Sequence, residues 1–202
     1  MKTEQEIFWA GEFGNNYVDR NSSYCNINNF SKILISNRIR INSTLEIGAN
    51  IGLNLDAVKS IFPKSETFGI EINERAFSIL SKKHNGWCGS IYEWQSDKKY
   101  ELTISRGVLI HQNPDLLPDF YAKLYDHSSR YILIDEYFSP YPVEVRYRGH
   151  KGKLFKRDFA KELWDLYPSL KLIDYGFFWK HDSFLTSDDS NWFLFEKNKD
   201  QS

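Results

Sequence analysis

The stretch Leu45-Glu46-Ile47-Gly48-Ala49-Asn50-Ile51-Gly52-Leu53 decides how the rest of the chain is read. Ser43 to Gly48 reads as a buried strand, and Leu53, Ala57, Val58, Ile61 and Phe62 then recur at helical spacing until Pro63 ends the run. A strand, a tight glycine turn and a helix therefore follow one another. Gly48 and Gly52 let the backbone pass close under a ligand, and the helix N-terminus behind them offers unpaired N–H groups. The glycines stand four apart with Asn50 between them, a departure from G-x-G-x-x-G that argues against a dinucleotide pyrophosphate. Glu46 argues the same way, because a carboxylate before the turn repels phosphate yet holds an ammonium group. Nineteen residues past Gly52, Glu71 closes the next strand, where an acidic side chain accepts both hydrogen bonds of a ribose diol. Ribose without pyrophosphate points to an adenosyl ligand. The alternative is an ordinary tight turn with no ligand.

Working outward, Thr67 to Ile72 reads as the second strand, residues 74 to 83 as a helix burying Ala76, Phe77 and Leu80, and Trp87 and Cys88 as the third strand after the Asn85-Gly86 turn. Tyr100 to Leu109 is the fourth strand. Pro114 starts a helix with Leu117, Tyr121, Leu124 and Tyr125 on one face, and Arg130 to Phe138 is the fifth strand. Strands alternating with helices are the signature of right-handed βαβ units, hence of a parallel sheet covered on both faces. Asp158 caps a further helix. Leu170 to Trp179 and Asn191 to Lys197 follow with no room for a crossover helix, so they pair antiparallel. At the other end, Thr3 and Glu6 form a capping box for a short helix that stops before Gly14. Asn15 to Asn29 reads as a loop, and Phe30 to Asn37 as a helix. The expected fold is α/β and Rossmann-like: a doubly wound, mostly parallel seven-stranded sheet with a C-terminal antiparallel hairpin. One domain covers 1–202, comprising an N-terminal helical cap (1–42), a βαβ core (43–138), a basic insertion (139–157) and a C-terminal helix and hairpin (158–202).

Composition narrows the function. A chain of 202 residues with 26 Lys+Arg against 27 Asp+Glu carries a formal net charge of -1, which disfavours nucleic acid or an anionic membrane as partner. Two cysteines far apart indicate neither a disulfide framework nor a zinc site. His84, His127 and His181 form no metal-ligand pattern, so no metal is expected. The first residues lack the apolar core of a signal peptide and no stretch is long enough to span a membrane, so the expected location is cytoplasmic.

The pattern E-x-G-x-N-x-G with an acid ending the second strand resembles class I S-adenosylmethionine-dependent methyltransferases, with Asn50 where their central glycine stands. The segments FWAGEFGNNYVDRN at 8 to 21, LEIGANIGLNL at 45 to 55, GVLIHQNPDLL at 107 to 117, RYILIDEYFSP at 130 to 140, LFKRDFA at 154 to 160 and NWFLFEK at 191 to 197 resemble the pseudaminic acid biosynthesis-associated methylases. That resemblance implies the class I methyltransferase type of fold, S-adenosylmethionine as cofactor, and a small sugar or nucleotide-sugar acceptor in nonulosonic acid or surface glycan biosynthesis. Position by position, it implies that Glu46, Gly48, Ala49, Asn50 and Gly52 surround the methionine part of the cofactor. Glu71, with Ile72, would bind the ribose, Gly89 and Ser90 the adenine, and Arg106, Gly107 and Val108 would pass beneath.

For the acceptor, His111 is the leading catalytic candidate, because His-Gln-Asn follows an apolar strand at its C-terminal edge, where α/β folds place ligands. The alternative is a histidine that only holds loop backbone. Glu136 and Tyr137 end the fifth strand on the same edge. The insertion crowds Arg146, Arg148, His150 and four further cations beside Tyr141 and Tyr147. It reads either as a solvated loop or as a lid in which Arg146, Tyr147 and Arg148 recognise an anionic group. Of Phe8, Trp9, Phe13 and Tyr17, Tyr17 is expected to close over the cofactor.

Overall fold

The computed structural model describes residues 2–21, 25–185 and 187–198. Its main sheet comprises β1 (Ser43–Ile47), β2 (Glu66–Glu71), β3 (Asn85–Cys88), β4 (Tyr100–Arg106), β5 (Ser128–Glu136), β8 (Lys171–Phe178) and β9 (Ser190–Glu196). The short strands β6 (Val143–Glu144) and β7 (Phe155–Lys156) pair separately within the insertion. The seven run in the order β3-β2-β1-β4-β5-β9-β8. Pairs among the first five are parallel, whereas β9 pairs antiparallel with both β5 and β8. The expected α/β sheet with its C-terminal hairpin is thus formed, and its order reverses between β1 and β4, the place where open α/β sheets leave a crevice.

Period-two alternation sends side chains to two cores. On one face α6 (Leu117–Asp126) and α7 (Phe159–Leu166) bury Phe120, Leu124 and Leu163 against Leu45, Ile132 and Phe195. On the other, α3 (Ile27–Phe30), its π-helical continuation 31–35 and α4 (Leu53–Ile61) bury Phe30, Leu34 and Val58 against Leu102, Ile104 and Leu133. Truncating one of these leucines to alanine costs about 2–5 kcal/mol. α5 (Glu74–Leu80) starts at Asn73, whose side chain accepts from the Ala76 N–H.

Several segments depart from the expected elements. Asn85 and Gly86, expected as a turn, are the first two residues of β3, paired with Phe68 and Gly69 of β2, and the expected loop 15–29 holds the end of α2 and the start of α3. The N-terminus forms two helices, α1 (Glu4–Ala10) and α2 (Glu12–Arg20), so that Gly14 lies inside a helix rather than after one. A Cβ on Gly14 would stand 1.9 Å from the Trp9 carbonyl oxygen, so this glycine allows α2 to lie against the end of α1. The capping box of Thr3 and Glu6 is present. The fourth strand ends at Arg106 instead of Leu109, because the chain turns at Gly107 into a 3₁₀ turn over 109–111. Among the described residues no helix is long and apolar enough to cross a membrane.

Candidate active site

A cavity of about 650 Å³ opens above the C-terminal ends of β1, β2, β4 and β5, within the range of small-molecule sites. The N-terminal helices, the insertion and the loop before β9 surround it. Gly48, Ala49, Asn50, Glu71, Ile72, Gly89 and Ser90 line it, as do Arg106, Gly107 and Val108, and Tyr17 reaches it from α2. On the acceptor side His111, Tyr137, Tyr147 and Arg148 line it. Glu46, Gly52, Glu136 and Arg146 do not, and each has a different reason.

The turn after β1 is held from below. Gly48, Asn50 and Gly52 have φ of 76°, 48° and 88°. Asparagine tolerates the left-handed region better than most residues with a side chain. The Asn50 N–H donates to Glu71 Oε2 at 2.7 Å and the Asn73 N–H to Glu71 Oε1 at 2.8 Å. Glu71 thus ties the turn to the end of β2 while each carboxylate oxygen keeps further acceptor capacity. Burial raises its pKa, and the backbone donors pull it back. Gly52 serves a neighbour rather than the cavity, since a Cβ there would stand 2.8 Å from Cδ2 of His84. His84 is fixed by Thr67 Oγ1 at 2.8 Å and Asp56 Oδ1 at 3.2 Å.

Glu46 lies beneath Asn54, whose Nδ2 donates to Glu46 Oε1 at 2.5 Å. Asn54 lines the cavity, and the other Glu46 oxygen, Oε2, is buried without a hydrogen-bond partner among the described residues. Asn26 Nδ2 and Arg106 Nη1 both donate to Asn54 Oδ1, at 2.5 and 3.1 Å. Burial pushes the Glu46 carboxyl up to about 8, against the Asn54 hydrogen bond and the Arg106 charge. Arg106 Nε stands 2.8 Å from Asp135 Oδ2, but neither Asp135 oxygen has a partner in hydrogen-bond geometry among the described residues. We take this as charge neutralisation without directional bonding. Asn26, Asn54 and Asp135 were not singled out from the sequence, although the alternation of β5 carries the signal. Asp135 and Glu136 point to opposite faces, and it is Asp135 that meets the cavity.

Glu136 is instead the cap of the turn after β4. It accepts from Ser105 Oγ at 2.9 Å and from the N–H groups of Val108, Leu109 and Ile110 at 3.0, 3.0 and 3.4 Å. Burial pushes its pKa up to about 7 despite these donors. The turn it braces carries His111. His111 Nδ1 lies 2.5 Å from the Lys153 carbonyl oxygen. A carbonyl only accepts, so Nδ1 carries the proton and Nε2 keeps its lone pair. Burial lowers the pKa to about 4, so the imidazole is neutral near pH 7.

The roof over His111 is aromatic. Ring centroids of Trp9 and Tyr147 lie 4.6 and 4.9 Å from that of His111, and Tyr17 meets Trp9 edge-on at 5.3 Å. The Trp9 indole N–H is buried without a hydrogen-bond partner among the described residues. Tyr137 donates to Asp188 Oδ2 at 2.6 Å at the rim. Burial, with Tyr147 and Asp188 nearby, pushes the Tyr17 hydroxyl up to about 12. Arg146 is exposed and away from the cavity, whereas Arg148 lines it with a φ of 48°. Glu6 of α1 also lines the cavity and accepts from the Ser90 hydroxyl.

No family model and no curated protein matches the chain. Solved structures do. The 1,6-didemethyltoxoflavin-N1-methyltransferase of Burkholderia thailandensis, solved with its substrate and S-adenosylhomocysteine, superimposes with a TM-score of 0.71 at 14% identity, covering 96% of this chain and 87% of that one. A SAM-dependent methyltransferase of Archaeoglobus fulgidus gives 0.67 at 15% identity over 92% and 100%. The magnesium protoporphyrin IX methyltransferase of Synechocystis PCC 6803, with SAM bound, gives 0.65 at 11% identity over 98% and 99%. Sheet order, crevice and these likenesses agree: the chain has the fold of the class I S-adenosylmethionine-dependent methyltransferases.

Proposed function

We propose that the protein is an S-adenosylmethionine-dependent methyltransferase acting on an oxygen or nitrogen of a small acceptor. One observation carries this reading: a single cavity runs from a carboxylate at the end of β2, Glu71, to the neutral imidazole of His111. The residues fit an adenosyl amino acid. Asn26 Oδ1, Asn50 Oδ1 and the Asp135 oxygens are buried acceptors without hydrogen-bond partners among the described residues, and their side chains line the cavity. An ammonium group placed among them would satisfy acceptors that are costly to leave unpaired. Glu71 would hold the ribose, and Arg106 the carboxylate of the amino-acid tail. Bound there, the cofactor would supply an electrophilic methyl group, and the enzyme's contribution is then to align the acceptor and exclude water. Two of the neighbours named above act on a toxoflavin precursor and on a porphyrin, and a small acceptor suits a cavity closed over by α1, α2 and the insertion. A sugar-derived acceptor in nonulosonic acid or surface glycan biosynthesis, processed in the cytoplasm, is the reading favoured by the resemblance of the segments quoted above.

Calorimetry tests the cofactor. S-adenosylmethionine and S-adenosylhomocysteine are expected to bind with micromolar affinity and NAD not to bind; preference for NAD, or binding of none, overturns the reading. Incubation with labelled cofactor and candidate sugars, read as a mass gain of one methyl group, tests the acceptor. Cofactor binding without any transfer would instead support a protein that senses the cofactor.

A further inference from the structure

We infer that the acceptor is a ring hydroxyl rather than an amine, and that Trp9 and His111 together select it. This rests on the methyltransferase reading and decides between the oxygen and the nitrogen it leaves open. Two polar atoms, on side chains that line this end of the cavity, carry the argument. His111 has its Nδ1 proton committed to the Lys153 carbonyl, so Nε2 offers only a lone pair. Trp9 offers only a proton, since an indole N–H is a donor without acceptor capacity, and this one is buried with no partner among the described residues. The two rings lie 4.6 Å apart, centroid to centroid, and both line the cavity. A group that satisfies both must accept one hydrogen bond and donate another.

Attack on a methyl group adds a third demand, a lone pair left over. A hydroxyl oxygen has two lone pairs: one accepts from Trp9, its proton goes to His111, and the other attacks. An uncharged amine has one lone pair, so accepting from Trp9 would consume the electrons needed for attack. An ammonium has none and would leave the indole N–H unpaired in a buried site, which costs more than the bond is worth. The step balances. The oxygen lone pair forms the bond to the methyl carbon as the methyl–sulfur bond breaks and its pair remains on sulfur. The hydroxyl proton passes to His111 Nε2. With a pKa held down to about 4, the resulting imidazolium gives up its proton readily near neutral pH. Tyr147, 4.9 Å from His111 and 6.3 Å from Trp9, gives the acceptor's ring an aromatic surface.

Two matched pairs of probes test this without turnover: phenol with aniline, and cyclohexanol with cyclohexylamine. Each is titrated into isotope-labelled full-length protein saturated with S-adenosylhomocysteine, following the Trp9 indole N–H and the His111 ring resonances. Cyclohexylamine, an ammonium near neutral pH, cannot accept from Trp9, so cyclohexanol should bind about tenfold more tightly, the worth of one or two buried hydrogen bonds, and should move both resonances. Aniline, uncharged near neutral pH, can meet both Trp9 and His111, so the phenol pair tells only whether an aromatic ring is taken. Trp9→Phe, which keeps a ring but removes the donor, should bring the preference within about twofold. Cyclohexylamine bound as well as cyclohexanol, no binding by any of the four, or alcohol binding that leaves the Trp9 N–H unmoved would each overturn the inference. Discrimination by the unaltered protein stands as a test whether or not the variant folds. Failure of S-adenosylhomocysteine itself to bind would overturn the cofactor reading instead.

Discussion

Gly52 and Glu71 show how differently two residues of one turn contribute. Gly52→Ala puts a methyl group against His84 at a φ of 88° that L-residues rarely adopt. It should lower stability by about 1–3 kcal/mol in thermal or denaturant unfolding. Adding His84→Ala removes the contact part of that loss relative to His84→Ala alone but not the backbone part, so a double-mutant cycle should show coupling. Strict additivity would mean that Gly52 does not answer to His84. Glu71→Ala has two effects, because it frees the Asn50 and Asn73 N–H groups as well as the proposed ribose contact. Cofactor affinity should fall by about 1–3 kcal/mol in calorimetry, and the distinction between the cofactor and its 2'-deoxy form should shrink. Part of this arrangement was legible: Asn50 in the glycine turn, Glu71 at the end of the second strand and His111 at the edge after the fourth all line the cavity. Glu46 and Glu136 were read as facing the ligand because they are acidic and sit at strand ends. The side-chain alternation of a strand, which turns each away beneath a neighbour, is what that reading left out.

At the scale of elements, the βαβ succession was legible because branched runs and helical spacing alternate with turn residues at short intervals. α2 was not. Gly14, Asn15 and Asn16 are poor helix formers, and the segment is held by partners distant in the chain. Asn73 Nδ2 donates to the Trp9 carbonyl at 3.2 Å and to Asn15 Oδ1 at 2.9 Å, and Arg75 pairs with Asp19 at 2.5 Å. No local pattern encodes such support. The same geometry yields a prediction for the pair of helices. Gly14→Ala drives a methyl group into the Trp9 backbone, so α1 and α2 must separate. Hydrogen exchange over 4–20 should quicken while β1, β4 and β5 keep their protection. Unchanged exchange over α1 and α2 would show that the close contact is not required.

Over the whole molecule, the buried carboxyls Glu46 and Glu136 weaken the fold as pH rises, while buried His111, held down to about 4, acts the other way. The folded-state values of Glu46 and Glu136 are raised from an ordinary 4.5 to about 8 and about 7. An unfolded chain releases these protons near 4.5, whereas the folded chain keeps them longer. Their contribution is therefore complete below about pH 4.5 and is lost as pH rises toward 8. In the absence of cofactor, Glu46→Gln, which cannot titrate, should flatten the decline in melting temperature between about pH 5 and 8 relative to the unaltered protein. A parallel decline in both would place the Glu46 carboxyl in the ionised state throughout. The position of β9 bears on something else, the order of events during synthesis. β8 leaves the ribosome before β9, yet β9 is the strand that separates it from β5. Until Ser190–Glu196 has emerged, β8 has no native strand neighbour, and its Tyr175 and Phe177, both more than half exposed even in the finished sheet, are exposed to chaperones and to other nascent chains. A ribosome-arrested chain with residues up to about 185 outside the tunnel should show protease-resistant β1 to β5 and a labile β8, with resistance spreading to β8 only after β9 has threaded in between.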